Sequence, residues 1–81
     1  SKAEYTILSL GNTHVYGFLK QLENQTMICL FNFSEDHQYF SADVLRKYTD
    51  KTILTDLITD KIVTMNEDAV KMFPYESLWL V

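Results

Sequence analysis

The run Thr26–Phe33 (TMICLFNF) is apolar on both of its alternating sides, with Met27, Cys29, Phe31 and Phe33 on one and Ile28 and Leu30 on the other. Successive side chains of a strand point to opposite faces, so a strand of this kind cannot lie at an edge with one side in water. It is expected to run through the middle of a sheet. Asn32 interrupts the second side, and a buried amide left unpaired costs about 1–3 kcal/mol. Asn32 is therefore expected to bond neighbouring backbone as the chain leaves the sheet at Ser34-Glu35-Asp36.

The rest of the chain repeats this short, dense, β-branched or aromatic pattern, broken by polar clusters at the spacing of a sandwich or barrel. Strands are expected at Thr6–Leu10, His14–Leu22, Gln38–Ser41, Thr52–Ile58, Lys61–Met65, Ala69–Phe73 and Ser77–Val81. Glu23-Asn24-Gln25 links the second strand to Thr26–Phe33 as a hairpin, with Asn24 suited to the left-handed conformation of a tight turn. Helical spacing occurs once: Ser41 reads as a cap, and Val44, Leu45 and Tyr48 as the inward side of one or two turns over residues 41–48. The expected fold class is all-β, a small antiparallel Greek-key β-sandwich of seven to eight strands formed as a single domain over residues 1–81. If the Thr26–Phe33 strand is central, Leu30→Ala and Phe31→Ala should each cost about 2–5 kcal/mol.

Size and charge then exclude much of the functional menu. Eighty-one residues cannot make a complete (β/α)8 barrel, which needs roughly 200 or more. Eleven Asp and Glu against seven Lys and Arg provide no basic stripe for phosphates, so nucleic acid is not an expected partner. No apolar run approaches the ~18 residues of a membrane span, and the start does not read as a signal peptide; no membrane partner is expected. Cys29 lies within an apolar run and reads as a small buried hydrophobe. A single unpaired thiol fits a reducing, cytoplasmic location. The Ser1-Lys2 start suits an excised or processed segment of a longer chain, and equally a trimmed start or a cloning scar.

Chemistry-bearing constellations are sparse. Glu35 with Asp36, Asp56 with Asp60, and Glu67 with Asp68 are the candidate carboxylate pairs. Glycosidase-type catalysis needs two carboxyl groups about 5–9.5 Å apart across a sugar, whereas adjacent acids in turns point into solvent. His14 and His37, the two imidazoles, stand far from each other in sequence, with Cys29 between them, and show no zinc-ligand spacing. Gly11 and Gly17 have no phosphate-loop context. Asn24-Gln25-Thr26 and Asn32-Phe33-Ser34 match the glycosylation triplet by chance. No catalytic residue, cofactor-binding residue or metal ligand is assigned.

Aromatic side chains are the remaining signal. Phe31, Phe33 and Trp79 are expected in the core, because large rings dominate the cores of small domains. Tyr5, Tyr16, Tyr39, Tyr48 and Tyr75 can bury a ring and keep the hydroxyl wet. If several share a face, that face is the best binding site this sequence offers.

Taken in order, His14–Lys20 (HVYGFLK), Met27–Ser34 (MICLFNFS), Asp56–Thr59 (DLIT) and Pro74–Leu80 (PYESLWL) resemble the C-terminal all-β domain of alpha-amylase superfamily enzymes, glycoside hydrolase family 13. The nearest types are alpha-glucosidase, oligo-1,6-glucosidase and amylosucrase. The resemblance covers nearly the whole chain and rests on structural rather than catalytic motifs. Thr13 stands where the family often has Pro, Lys20 where Arg is usual, and Asp60 where Gly commonly ends a turn. The resemblance implies an eight-stranded sandwich that follows a catalytic (β/α)8 barrel and packs against it. In that family the catalytic carboxylates sit in the barrel, and no position here matches them.

The leading expectation is a non-catalytic accessory domain that stabilises such a barrel, its partner within the same parent chain. Alpha-glucan or sucrose would then be met through the parent enzyme, an alpha-glucosidase or amylase-type hydrolase or a transglucosidase. The alternative is an alpha-glucan binding module that uses exposed Tyr or Trp rings. A third reading is an independent homodimerising β domain.

Overall fold

The computed structural model describes residues 2–81. In chain order the elements are β1 (Glu4–Ile7), β2 (Val15–Leu22), β3 (Gln25–Asn32), β4 (Gln38–Ser41), the helical turn α1 (Asp43–Arg46), β5 (Ile53–Thr55), β6 (Ile62–Thr64), β7 (Ala69–Met72) and β8 (Ser77–Leu80). All strand pairs are antiparallel. β3 is central, lying between β2 and β8 in a four-stranded sheet of order β1-β2-β3-β8. β4 pairs with β7 and β5 with β6. Because β8 joins β3 only after the chain has passed through the other pairs, its connection crosses between layers, as the sandwich requires.

The β5–β6 hairpin is stitched to the free edge of β8. The Thr55 N–H donates to the Val81 carbonyl and the Val81 N–H returns the bond to Thr55, while the Leu57 N–H donates to the Trp79 carbonyl. An open edge that would otherwise attract other strands is thereby closed.

One buried cluster fills the space between the layers. From the four-stranded sheet it takes Val15, Leu19, Ile28, Leu30, Leu78 and Leu80, and from the opposite side Phe40, Leu45, Leu54, Val70 and Met72. Leu8 and Leu10 join it from just beyond β1, so the first strand ends earlier than the Thr6–Leu10 reading placed it. Gly17 pairs with Leu30 across β2 and β3. A methyl group at Gly17 would stand 2.9 Å from the Leu30 side chain and 3.1 Å from that of Leu10, so these two leucines occupy the space a side chain would take.

Three local expectations are corrected. Glu23, not Asn24, takes the left-handed conformation in the β2–β3 turn (φ 57°), a role open to either central residue of a two-residue hairpin. Ser41 is not the residue that caps α1. That position is Ala42, while the Ser41 hydroxyl accepts the Asp43 N–H at 3.2 Å. Leu45 is buried, but Tyr48 is exposed, because the helix ends at Arg46 before a second turn can carry Tyr48 inward. The Arg46 guanidinium instead ties the helix down by donating to the carbonyls of Met65 and Glu67.

The larger correction concerns the rings. Phe31 and Trp79 are only half-buried and Phe33 is exposed, all three outside the core, whose sole ring among the described residues is that of Phe40. Leu30→Ala, at a fully buried position, should cost about 2–5 kcal/mol. Phe31→Ala should cost about 1–2 kcal/mol in this chain, since part of the ring surface is still in water. Urea midpoints of the two variants check the order, and a Phe31 loss equal to that of Leu30 would contradict the assignment of faces.

Candidate functional site

Alternation along the strands decides what each side of the four-stranded sheet presents. Val15, Gly17 and Leu19 of β2, Ile28 and Leu30 of β3, and Leu78 and Leu80 of β8 point inward and are buried. Their neighbours point outward: Tyr16, Phe18 and Lys20 on β2, Met27, Cys29 and Phe31 on β3, and Trp79 on β8. The outward side of β1 is set by its register, Tyr5 opposite Lys20 and Ile7 opposite Phe18. Phe33 continues the outward side just past β3.

These rings touch one another in an unbroken network. Tyr5 lies 6.0 Å from Phe18, Tyr16 lies 6.3 Å from Phe18 and 6.4 Å from Phe31, and Phe18 lies 6.1 Å from Phe31. Phe31 stacks with Phe33 at 6.2 Å and meets the edge of Trp79 at 6.4 Å. Pairs at such distances are worth about 0.5–1.5 kcal/mol beyond their area, and directly opposed or diagonal positions on neighbouring strands bring them into reach. Cys29 sits beneath them, opposite Phe18 on one side and Trp79 on the other. It is fully buried although it points outward. Burial pushes its thiol pKa up, and the nearby charge of Lys20 offsets that only in part.

The remaining tyrosines are elsewhere. Tyr39 is on β4 in the other layer, and Tyr48 borders an open groove of about 830 Å³ together with Lys20, Asn24, Asp50 and Lys51. Tyr75 occupies the third position of the turn Phe73-Pro74-Tyr75-Glu76, closed by the Glu76 N–H donating to the Phe73 carbonyl at 3.1 Å. Its φ of 55° is the value that normally calls for Gly or Asn there.

Two buried polar side chains serve the backbone. The Asn32 amide donates to the carbonyls of Asp36 (2.8 Å) and Phe73 (2.9 Å), and its oxygen accepts from the N–H and hydroxyl of Ser34. Asn32 thus bonds neighbouring backbone as its sequence context predicts, and its amide is unavailable to a glycan. Asp56 is the exception among the candidate acids. It is fully buried, not a solvated turn residue, whereas Glu35, Asp36, Asp60, Glu67 and Asp68 are exposed. One Asp56 carboxylate oxygen accepts the Trp79 N–H at 2.7 Å, and the other accepts the Thr59 N–H at 3.1 Å and the Thr59 hydroxyl at 2.6 Å. Asp60 takes the left-handed conformation (φ 64°) at the end of this turn, the position where glycine is usual. His14 and His37 are both exposed. Among the described residues no group of three or more His, Cys, Asp or Glu is placed to hold a metal ion, and no helix is long and apolar enough to cross a membrane.

Burial on its own would raise the Asp56 pKa, but the hydrogen bonds from Thr59, Trp79 and Ile58 outweigh it and hold the carboxyl below its ordinary value. A group with a depressed folded pKa contributes stability that is complete above its unfolded pKa, about 3.9 for Asp, and is lost as pH falls through the folded value. Unfolding midpoints should therefore drop as the pH is taken below about 4. Asp56→Asn replaces one acceptor oxygen with a donor and leaves backbone or hydroxyl donors unpaired, costing about 1–3 kcal/mol at neutral pH. The variant should also lose part of the acid dependence. A wild-type midpoint that stays flat down to about pH 2 would contradict this account.

Comparison with known proteins agrees with the fold. The family described as amylosucrase, C-terminal domain, matches residues 7–81. Among solved structures, AmyP E221Q in complex with maltotriose superposes with a TM-score of 0.74 at 22% identity, over 98% of this chain and 16% of that one. AmyP in complex with maltose gives a TM-score of 0.72 at 23% identity, again over 98% and 16%. The chain thus spans about one sixth of the length of these neighbours. No curated protein matches it significantly.

Proposed function

The chain belongs to the amylosucrase C-terminal-domain family, the C-terminal all-β domains of alpha-amylase superfamily enzymes, and from that premise we propose that it is a non-catalytic accessory domain. It packs on and stabilises the catalytic barrel of a parent glycoside hydrolase or transglucosidase. The observation that carries this reading is that the family match coincides with one self-contained sandwich, and this fold makes up 16% of much longer chains. The use of its buried polar groups agrees. Asn32 and Asp56 spend their hydrogen bonds on bracing the turns and β8. The neighbours' complexes with maltose and maltotriose support alpha-glucan as the parent's substrate, with sucrose the choice if the parent transfers glucose as an amylosucrase does. The unpaired Cys29 supports a reducing cytoplasm as its location, and a cleaved secretory leader on the parent would refute that.

The test is removal of these residues from the parent polypeptide. The truncated enzyme should unfold at a temperature lower by several degrees, while the surviving folded fraction keeps its turnover number on maltooligosaccharides or sucrose. An unchanged melting temperature would overturn the stabilising role, and a turnover number abolished in a folded barrel would overturn the non-catalytic one.

A second reading, an alpha-glucan binding module, is favoured by the gathering of Tyr5, Tyr16 and Trp79 on one face. Electrophoresis through glycogen or starch gels tests it. Binding by this face requires retardation that Tyr16→Ala removes, and unretarded migration rejects it.

A further inference from the structure

We infer that the outer face of the β1-β2-β3-β8 sheet is the surface on which the parent's catalytic barrel packs. The inference rests on the accessory-domain reading above and adds where, and through which residues, the contact is made.

Charge is the first argument. The chain carries eleven Asp and Glu, yet none of the strand positions pointing to this side is acidic, and Lys20 is the sole cation among them. Depletion of charge together with aromatic and Met enrichment is what distinguishes the centre of a protein interface from ordinary surface. The outward side of the β4–β7 pair lacks this character, with Tyr39 opposite Lys71 and Ser41 opposite Ala69.

Shape is the second. The rings are spread over all four strands and do not follow a single line. Four strands about 4.8 Å apart and eight residues at about 3.3 Å each give a face of roughly 19 by 26 Å at its longest, on the order of 400 Å². An inter-domain interface of about 600–1,500 Å² in total needs about 300–750 Å² from each side. A linear glucan would cover one track and leave the other rings wet. The ring planes also differ, from 21° between Phe31 and Phe33 to 85° between Phe31 and Trp79, so they offer successive sugars no common platform. A broad, solid partner fits them.

Continuity is the third. β1 is the edge strand of this sheet, and its Tyr5 and Ile7, both more than 60% exposed, lie on the face in question. A polypeptide that enters the sandwich through β1 is tethered at the border of this surface. The neighbours contain ample mass to cover it, since the matched fold is 16% of their length.

Hydroxyl-radical footprinting of the intact parent chain, free of ligand and at low concentration, tests the inference. Tyr39, exposed on the other layer, is the internal reference. After correction for intrinsic reactivity, Tyr16 and Phe33 should label several-fold more slowly than Tyr39. Labelling as fast as Tyr39 would overturn the inference. So would protection that appears only on adding maltotriose or soluble starch, which makes the face a glucan platform, or protection that grows with protein concentration, which assigns it to a second copy. Phe33→Asp in the parent should lower its melting temperature, whereas Tyr39→Asp should not. If deleting the whole domain destabilises the parent while Tyr16 and Phe33 label freely, this inference alone fails. If deletion has no effect, the accessory-domain reading fails first.

Discussion

The register of β3 between β2 and β8 is the constraint on which everything else in this sandwich depends. Side chains alternate with a period of two, so a slip of one residue would send Ile28 and Leu30 out of the core and drive Met27, Cys29 and Phe31 into it. Size complementarity opposes that slip from both sides. On the inner side Gly17 stands opposite Leu30, leaving space that the leucine fills. On the outer side Cys29, the small residue of the row, stands between Phe18 and Trp79, whose rings close over it. A slipped strand would set large against large on one side and leave a gap on the other, and either defect costs of the order of 1–5 kcal/mol.

Around that strand the loops are held by side chains where glycine would often serve. The chain has two glycines, and among the described residues three other than glycine adopt positive φ, Glu23, Asp60 and Tyr75. Such conformations persist when their surroundings over-determine them. Near Tyr75, Asn32 grips the Phe73 carbonyl, the Tyr75 N–H donates to Ser34, and the Glu76 carboxylate accepts both the Phe73 N–H and the Lys61 ammonium. Near Asp60, the Asp56 carboxylate holds Thr59 and reaches across to β8. Both polar braces sit where a hairpin or turn meets the four-stranded sheet, so they transmit its register to the loops.

The sequence shows this architecture unevenly, for reasons visible at particular residues. The central strand was legible because Thr26–Phe33 is apolar on both sides, and the fate of Asn32 because an amide at its end must find partners. Asp56 reads in sequence as a solvated turn acid because nothing local reports its burial: its partners Thr59 and Trp79 lie three and twenty-three positions away, and the second is a tertiary neighbour. Size alone puts the rings of Phe31, Phe33 and Trp79 in the core, where the structure does not have them. A better signal was present in parity. In Val15-Tyr16-Gly17-Phe18-Leu19, in Ile28-Cys29-Leu30-Phe31 and in Leu78-Trp79-Leu80, aliphatic residues and Gly17 keep one phase, and the aromatics, with Cys29 among them, the other. Which phase is inside cannot be decided from one strand. It follows only when the opposite layer is seen to supply Leu45, Leu54, Val70 and Met72 as matching aliphatic surface.

That segregation bears on how the domain and its parent share stability. A domain of this size buries only about 60% of the surface its unfolded chain exposes, and here most of the largest side chains are left out of the enclosed core. Half-buried Phe18, Phe31 and Trp79 contribute only part of the transfer free energy that full burial would yield, about 1.5–3 kcal/mol per large apolar side chain. On the docking proposed above, covering the face would convert it into a second core, with the sheet between the two. The sheet would then be the one layer common to both, and its register would be enforced from either side. On that docking, loosening β3 would release barrel and sandwich together, and the domain would belong to the cooperative unit of its parent.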